Sequence, residues 1–115
     1  MIDIRHEGHV AFLRPREASL DREAVQELRE ILALQITQGM SLLIINLESV
    51  TYMDSSGLGA LISAFRQLDG TGELRLCGAR PDIINLIHLA GLNRIFPVVF
   101  DDEEQALRAG AGRPH

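Results

Sequence analysis

The sequence predicts one α/β domain with a mixed central sheet, an N-terminal antiparallel hairpin and about four helices. Three observations predict it. Two short alternating runs open the chain, Ile2-Asp3-Ile4-Arg5 and Val10-Ala11-Phe12-Leu13, with Gly8 between them. From residue 40 onward, strand-like apolar runs alternate with segments of helical period. The whole chain has 115 residues, the size of one domain, and shows no internal repeat and no long linker.

Each element has its own reason. The two opening runs read as strands with one buried face. Pro15 stops the second, because proline brings no N–H to a ladder. Ser19 or Asp21 suits the cap of a first helix, whose Val25, Leu28, Ile31 and Leu32 form an apolar stripe between charged residues. Gly39 closes it. Leu42-Leu43-Ile44-Ile45-Asn46-Leu47 is almost wholly apolar and short, which fits a central strand covered on both faces. Glu48 to Tyr52 reads as a connector.

A second helix follows, with Leu58, Leu61, Ile62, Phe65 and Leu68 at helical spacing, and Asp69-Gly70-Thr71-Gly72 ends it. Glu73-Leu74-Arg75-Leu76-Cys77 alternates as a strand. Pro81 fits the first turn of a third helix over Asp82 to Ala90, and Gly91 fits its end. That helix is apolar on nearly every side, through Ile83, Ile84, Leu86, Ile87, Leu89 and Ala90. Deep burial is the expected reason, with an apolar partner patch as the alternative. Val98-Val99-Phe100 is a last strand. Asp101-Asp102-Glu103-Glu104 opens a final helix, with capping-box spacing between Asp101 and Glu104. The domain is expected to span 1–108, and the small, glycine-rich tail 109–115 to be frayed.

Composition narrows the function. The hydrophobic share of 46% and charged share of 23% are those of a globular protein, not of a disordered one. Eleven basic against 16 acidic residues give a net charge of −5, which argues against nucleic acid or an anionic membrane as main partner. The single cysteine, Cys77, excludes an internal disulfide framework. No run approaches the roughly 20 apolar residues of a spanning helix. The N-terminal run already alternates and lacks the layout of a signal peptide, so a cytoplasmic location is expected.

One segment carries specific chemistry. Asp54-Ser55-Ser56-Gly57-Leu58-Gly59 lies between a buried strand and an amphipathic helix. Residue types alone fit a helix cap, because the first N–H groups of a helix need acceptors and Asp54 or Ser55 supplies one. Gly57 and Gly59 would also let another chain approach. A phosphate here would meet the favourable end of the helix dipole and the repulsion of Asp54, so the fold should tolerate it. A partner packed over the spot would have to desolvate a dianion.

The run Val50-Thr51-Tyr52-Met53-Asp54-Ser55-Ser56-Gly57-Leu58-Gly59-Ala60-Leu61 resembles the signature of the STAS domain family, and among its members the bacterial anti-sigma factor antagonists. Leu43-Ile44-Ile45-Asn46-Leu47, Leu74-Arg75-Leu76-Cys77-Gly78 and Leu89-Ala90-Gly91-Leu92 are similar to its other elements, so the resemblance covers residues 2 to 108. It implies a non-enzymatic partner-switching regulator without a cofactor. The phosphorylated serine carried over is Ser56. The unphosphorylated form would bind an anti-sigma factor that is also a serine kinase and so free a sigma factor. A PP2C-type phosphatase would restore it. Asp54 and Ser55 would cap the helix and shape the loop, with Gly57 and Gly59 keeping its start open. Asp21, Met53 and Leu58 are the expected partner contacts. The family's Gly-x-Leu-Asp turn is altered: Asp21 matches its aspartate, but no glycine precedes it. The resemblance also admits a constitutive scaffold subunit of a stress-sensing or lipid-transport complex.

Other chemistries fit less well. Gly57-Leu58-Gly59 lacks the third glycine and the later acid of a dinucleotide fingerprint. A serine hydrolase needs a histidine base, and His88 lies in an apolar helix without a Gly-x-Ser-x-Gly context. His6 and His9 lack further ligands for a metal. Cys77 ends a strand and reads as a core residue.

Overall fold

The computed structural model describes residues 1–109. Strand β1 (Ile2–Glu7) turns back at Gly8-His9 into β2 (Val10–Pro15) as an antiparallel hairpin. Then follow β3 (Ser19–Leu20), α1 (Arg22–Thr37), β4 (Leu42–Asn46), β5 (Tyr52–Met53), α2 (Ser55–Leu68) and β6 (Glu73–Cys77). The chain continues through α3 (Pro81–Leu89), a single 3-10 turn (Leu92–Arg94), β7 (Val99–Phe100) and α4 (Glu103–Ala109). The main sheet runs β1-β2-β4-β6-β7, parallel except for the hairpin.

Strand alternation divides the interior into two layers. Ala11, Leu13, Leu43, Ile45, Leu74 and Leu76 face one way and meet the buried stripes of α1, α2 and α3. Phe12, Ile44 and Cys77 face the other way, where Ala106 of α4 covers them. Ile44 pairs with Phe12 on one side and Arg75 on the other, so this second layer crosses three strands. Arg75 is buried in it. Its Nη1 donates to the Ala106 carbonyl at 2.6 Å and its Nη2 to Glu73 Oε1 at 3.1 Å, which fastens α4 to the sheet. Gly78, just beyond β6, takes a positive φ of 72°, and a Cβ there would lie 2.6 Å from Asn46 Oδ1. Only glycine fits that turn without displacing the buried Asn46.

The expected elements are all present, with three corrections. Of the two candidates for the cap of α1, Asp21 takes the role, and Ser19 belongs to β3. Asp102 Oδ1 accepts from Gln105 N at 2.9 Å and caps α4 in place of Asp101. Helix α3 is not deeply buried. Ile83 and Ile87 face the core, while Leu89 stands 86% exposed. One helix packed on one layer can bury only one stripe, whatever its composition. Finally, Ala109 ends α4 instead of opening a tail, and the rest of that tail lies outside the described residues.

Candidate functional site

After β4 the chain drops into the core at Leu47 and Val50 and then rises along the molecule's second ribbon. The N–H groups of Thr51 and Tyr52 both donate to the Ala18 carbonyl, at 2.7 and 3.1 Å. Ser19 pairs with Tyr52 and Leu20 with Met53, in parallel. Two residues per strand are too few to show alternation, so no pattern announces this ribbon beyond the β-prone Thr51-Tyr52. Its consequence is positional. Parallel strands emerge in the same direction, so Asp21 and Asp54, each one residue past the ribbon, begin α1 and α2 side by side.

Asp54 is the cap of α2. It is extended, with φ −109° and ψ −170°, and its Oδ1 gathers three donors. These are Ser56 N at 2.9 Å, Ser56 Oγ at 2.5 Å and Gly57 N at 3.4 Å. The Ser56 hydroxyl is the largest influence and holds the carboxyl below its usual range; desolvation opposes it next, and the backbone amides of Ser56 and Gly57 add to the lowering. Asp21 caps α1, accepting from Ala24 N at 3.1 Å.

The serines therefore differ. Ser55 is the first residue of α2 and is exposed. Ser56 is half-buried and its hydroxyl is engaged by Asp54. Gly57 does not keep the helix start open to a visitor. It is buried, and a Cβ there would lie 2.5 Å from Met53 Cγ and 3.7 Å from the Leu20 carbonyl. The close approach it permits is by this chain's own ribbon. Gly59 is half-buried, with a Cβ position 3.1 Å from the end of Arg29.

Of the expected partner contacts, only Asp21 is exposed. Met53 and Leu58, 4% and 9% exposed, are core residues, because strand β5 and the inner stripe of α2 both face the sheet. The residue that sequence reading passed over is Tyr52, which is 53% exposed on the outer side of the ribbon, two residues before the cap. Glu17, Asp21, Glu23 and Glu27 line one open cavity of about 650 Å³ beside the start of α1 and give this side of the molecule an acidic rim.

Among the described residues no histidine is hydrogen-bonded to either serine, and His6 Nε2 instead meets Gln35 Oε1 at 2.6 Å. No cluster of three or more His, Cys, Asp or Glu among them is arranged to hold a metal ion. No described helix is long and apolar enough to cross a membrane. Cys77 is fully buried, and burial first, with the nearby acids Glu103, Asp102 and Glu48, pushes its thiol up to about 12.

Fold and loop together define a mixed-sheet α/β domain that presents one free hydroxyl at a capped helix start. The STAS domain family model matches residues 1–106, and the chain belongs to that family. Among curated relatives, it is 34% identical over 91 residues to the anti-sigma F factor antagonist of Lysinibacillus sphaericus, covering 76% of this chain and 75% of that one. The anti-sigma F factor antagonist of Paenibacillus polymyxa is 32% identical over 66 residues, a match that spans 56% of either chain. The anti-sigma factor antagonist SpoIIAA in its unphosphorylated form superposes with a TM-score of 0.82 at 24% identity, covering 100% of both chains. The Bacillus cell fate determinant SpoIIAA in the phosphorylated form superposes with a TM-score of 0.73 at 25% identity, covering 93% of this chain and 96% of that one.

Proposed function

We propose that this chain is an anti-sigma factor antagonist whose partner binding is controlled by phosphorylation of the Asp54–Gly59 loop. It catalyses nothing itself and works in the cytoplasm. In the unphosphorylated state it binds an anti-sigma factor with serine kinase activity, which lets a sigma factor go. A PP2C-type phosphatase returns the phosphorylated chain to the pool. The observation that carries the reading is an exposed serine at the first position of a capped helix, within a hexapeptide of the family signature.

The accepting residue in this proposal is Ser55 instead of Ser56. An attacking hydroxyl must reach the γ-phosphorus of ATP in line, give up its proton to a base on the kinase and leave ADP behind. Ser55 is free to do so. Ser56 would first have to surrender its bond to Asp54. A phosphate on Ser55 adds about −1.5 to −2 charge. The N–H end of α2 favours that charge and Asp54 opposes it, so the fold changes little. A partner seated on the loop loses far more, since it must strip water from a dianion.

The test is intact-mass analysis after incubation with the cognate kinase and ATP. The parent and Ser56→Ala should each gain one phosphate, and Ser55→Ala none. Phosphate on Ser55→Ala but not on Ser56→Ala would return the assignment to Ser56. No phosphate on any of the three would defeat the switching mechanism.

A further inference from the structure

Strand β1 ends the main sheet, and among the described residues no strand pairs with its outer side. The direction of its backbone groups follows from one bond. Arg16 N donates to the Met1 carbonyl at 2.9 Å, which makes Met1 and Arg16 a hydrogen-bonded pair in the hairpin register. Such pairs alternate with non-bonded ones along an antiparallel ladder. Asp3, Arg5 and Glu7 therefore turn their N–H and C=O groups toward β2. Ile2, Ile4 and His6 turn theirs outward. Pro15 stands opposite Ile2, in a pair that needs no N–H from it.

Edge strands are usually blunted by charged side chains, lysine above all, by proline or by a bulge. β1 has no lysine, proline or bulge, its register to β2 is unbroken, and its charges, Asp3, Arg5 and Glu7, are of both signs and so can complement a second copy. Ile4 is 43% exposed, and the side chains of Asp3 and Arg5 are 46% and 54% exposed despite their internal ion pairs with Arg14 and Glu103. On the face shared with α4 the strand reads acid, base, acid through Asp3, Arg5 and Glu7.

We propose that β1 pairs with β1 of a second copy of this chain, antiparallel and centred on Ile4. The charge pattern selects both occupant and register. With Ile4 at the two-fold axis, Asp3 of each copy faces Arg5 of the other, and Ile2 faces His6. All three outward residues bond, giving about six backbone hydrogen bonds at two per pair. Centring on Asp3 sets acid against acid. Centring on Arg5 sets Arg5 against Arg5 and Asp3 against Glu7. Centring on His6 matches Arg5 with Glu7 but leaves only His6 of the three to bond. Every off-axis contact in the proposed pair occurs twice, and Ile4 meets its own copy on the axis, as two-fold symmetry requires. The two sheets become one continuous sheet. Pairing through one six-residue strand is a limited contact beside the roughly 1,200–2,000 Å² typical of stable complexes, so the association is expected to depend on concentration. None of residues 54–59 lies on β1, so pairing and the proposed switching are separable.

Sedimentation equilibrium of the full chain, from micromolar to millimolar concentration, tests this. The parent should pass from monomer to dimer. Asp3→Arg and Arg5→Asp should each weaken the dimer at least about tenfold, since each sets like charges opposite one another. An equimolar mixture of the two variants should dimerise again, because a mixed pair restores both Asp–Arg contacts. Ile4→Pro should remain monomeric with a parent-like circular dichroism spectrum, since it removes an outward N–H and no bond to β2. A parent that stays monomeric at millimolar concentration overturns the proposal. So does a dimer that survives Ile4→Pro, or a variant mixture that stays monomeric while the parent dimerises.

Discussion

Asp54 shows how one carboxylate oxygen can set the behaviour of a loop. Its Oδ1 holds two amides and one hydroxyl, all from Ser56 and Gly57, at the start of α2. Those donors favour the charged form, so the folded-state pKa lies below the usual 3.8. The sign of the pH effect follows. A carboxyl with a depressed folded pKa adds stability above its unfolded pKa, and that contribution is lost as pH falls through the folded value. Asp54→Asn keeps a good cap but removes the titration. The expected outcome is a parent-like melting temperature within the normal scatter for caps at low pH, a lower one near neutrality, and a flatter dependence below about pH 4. Thermal melts across that range would show it. An unchanged acid limb would mean that the carboxylate is not charged in the folded loop. The two serines illustrate a limit of sequence at this scale. Both are cap-compatible types at adjacent positions, and only the three-dimensional turn shows that it is the Ser56 hydroxyl that meets Asp54.

Among the elements, α3 departs most from expectation, and the reason lies outside it. Nine residues of almost uniform apolarity invite the reading of a surrounded helix. The sheet offers one surface, and α3 reaches it through the buried Ile83 and Ile87, with Leu86 partly buried beside them. Ile87→Ala should cost about 2–5 kcal/mol, as a buried truncation does. Leu89→Gln should change stability by no more than about 0.5 kcal/mol, as an exposed position allows. Chemical denaturation distinguishes the two, and equal losses would show that α3 buries both sides. Periodicity was enough to read the long elements. β1, α1, α2 and β6 each carry several residues of one clear period, so their faces followed from the pattern, and β4 was readable as a short apolar run covered on both faces. The β3–β5 ribbon carries only two rungs, and it is formed by carbonyl and amide groups of Ala18, Thr51 and Tyr52 that no side-chain pattern encodes. Met53 was misplaced for the same reason: without the ribbon, nothing indicates that residue 53 points inward. Leu58 stands in the apolar stripe of α2, and its burial follows from that stripe.

At the scale of the whole molecule, the sheet is dressed unequally. Three helices cover one face and α4 alone covers part of the other, held by Arg75 and by Asn46 Nδ2, which donates to Glu103 Oε2 at 3.1 Å. Cys77 lies at the centre of that thinner side with its thiol pushed up to about 12. A thiol-specific reagent should therefore modify native protein only as fast as α4 or the whole domain opens, and denaturant should accelerate it sharply. Rapid labelling without denaturant would show that α4 leaves the sheet freely. The element order and the location of the candidate loop were readable from the chain, because alternation and the hexapeptide are local signals. Which parts of the surface stay bare was not, since that depends on how many helices one face can hold. The ribbon has a last consequence for recognition. Its two strands, the shared Ala18 carbonyl and the Asp54 cap immobilise residues 51–57 before any partner arrives. Little disorder is left to freeze out on contact, so association should resemble the docking of rigid bodies, with calorimetry recording only a small conformational-entropy penalty on this side of the complex.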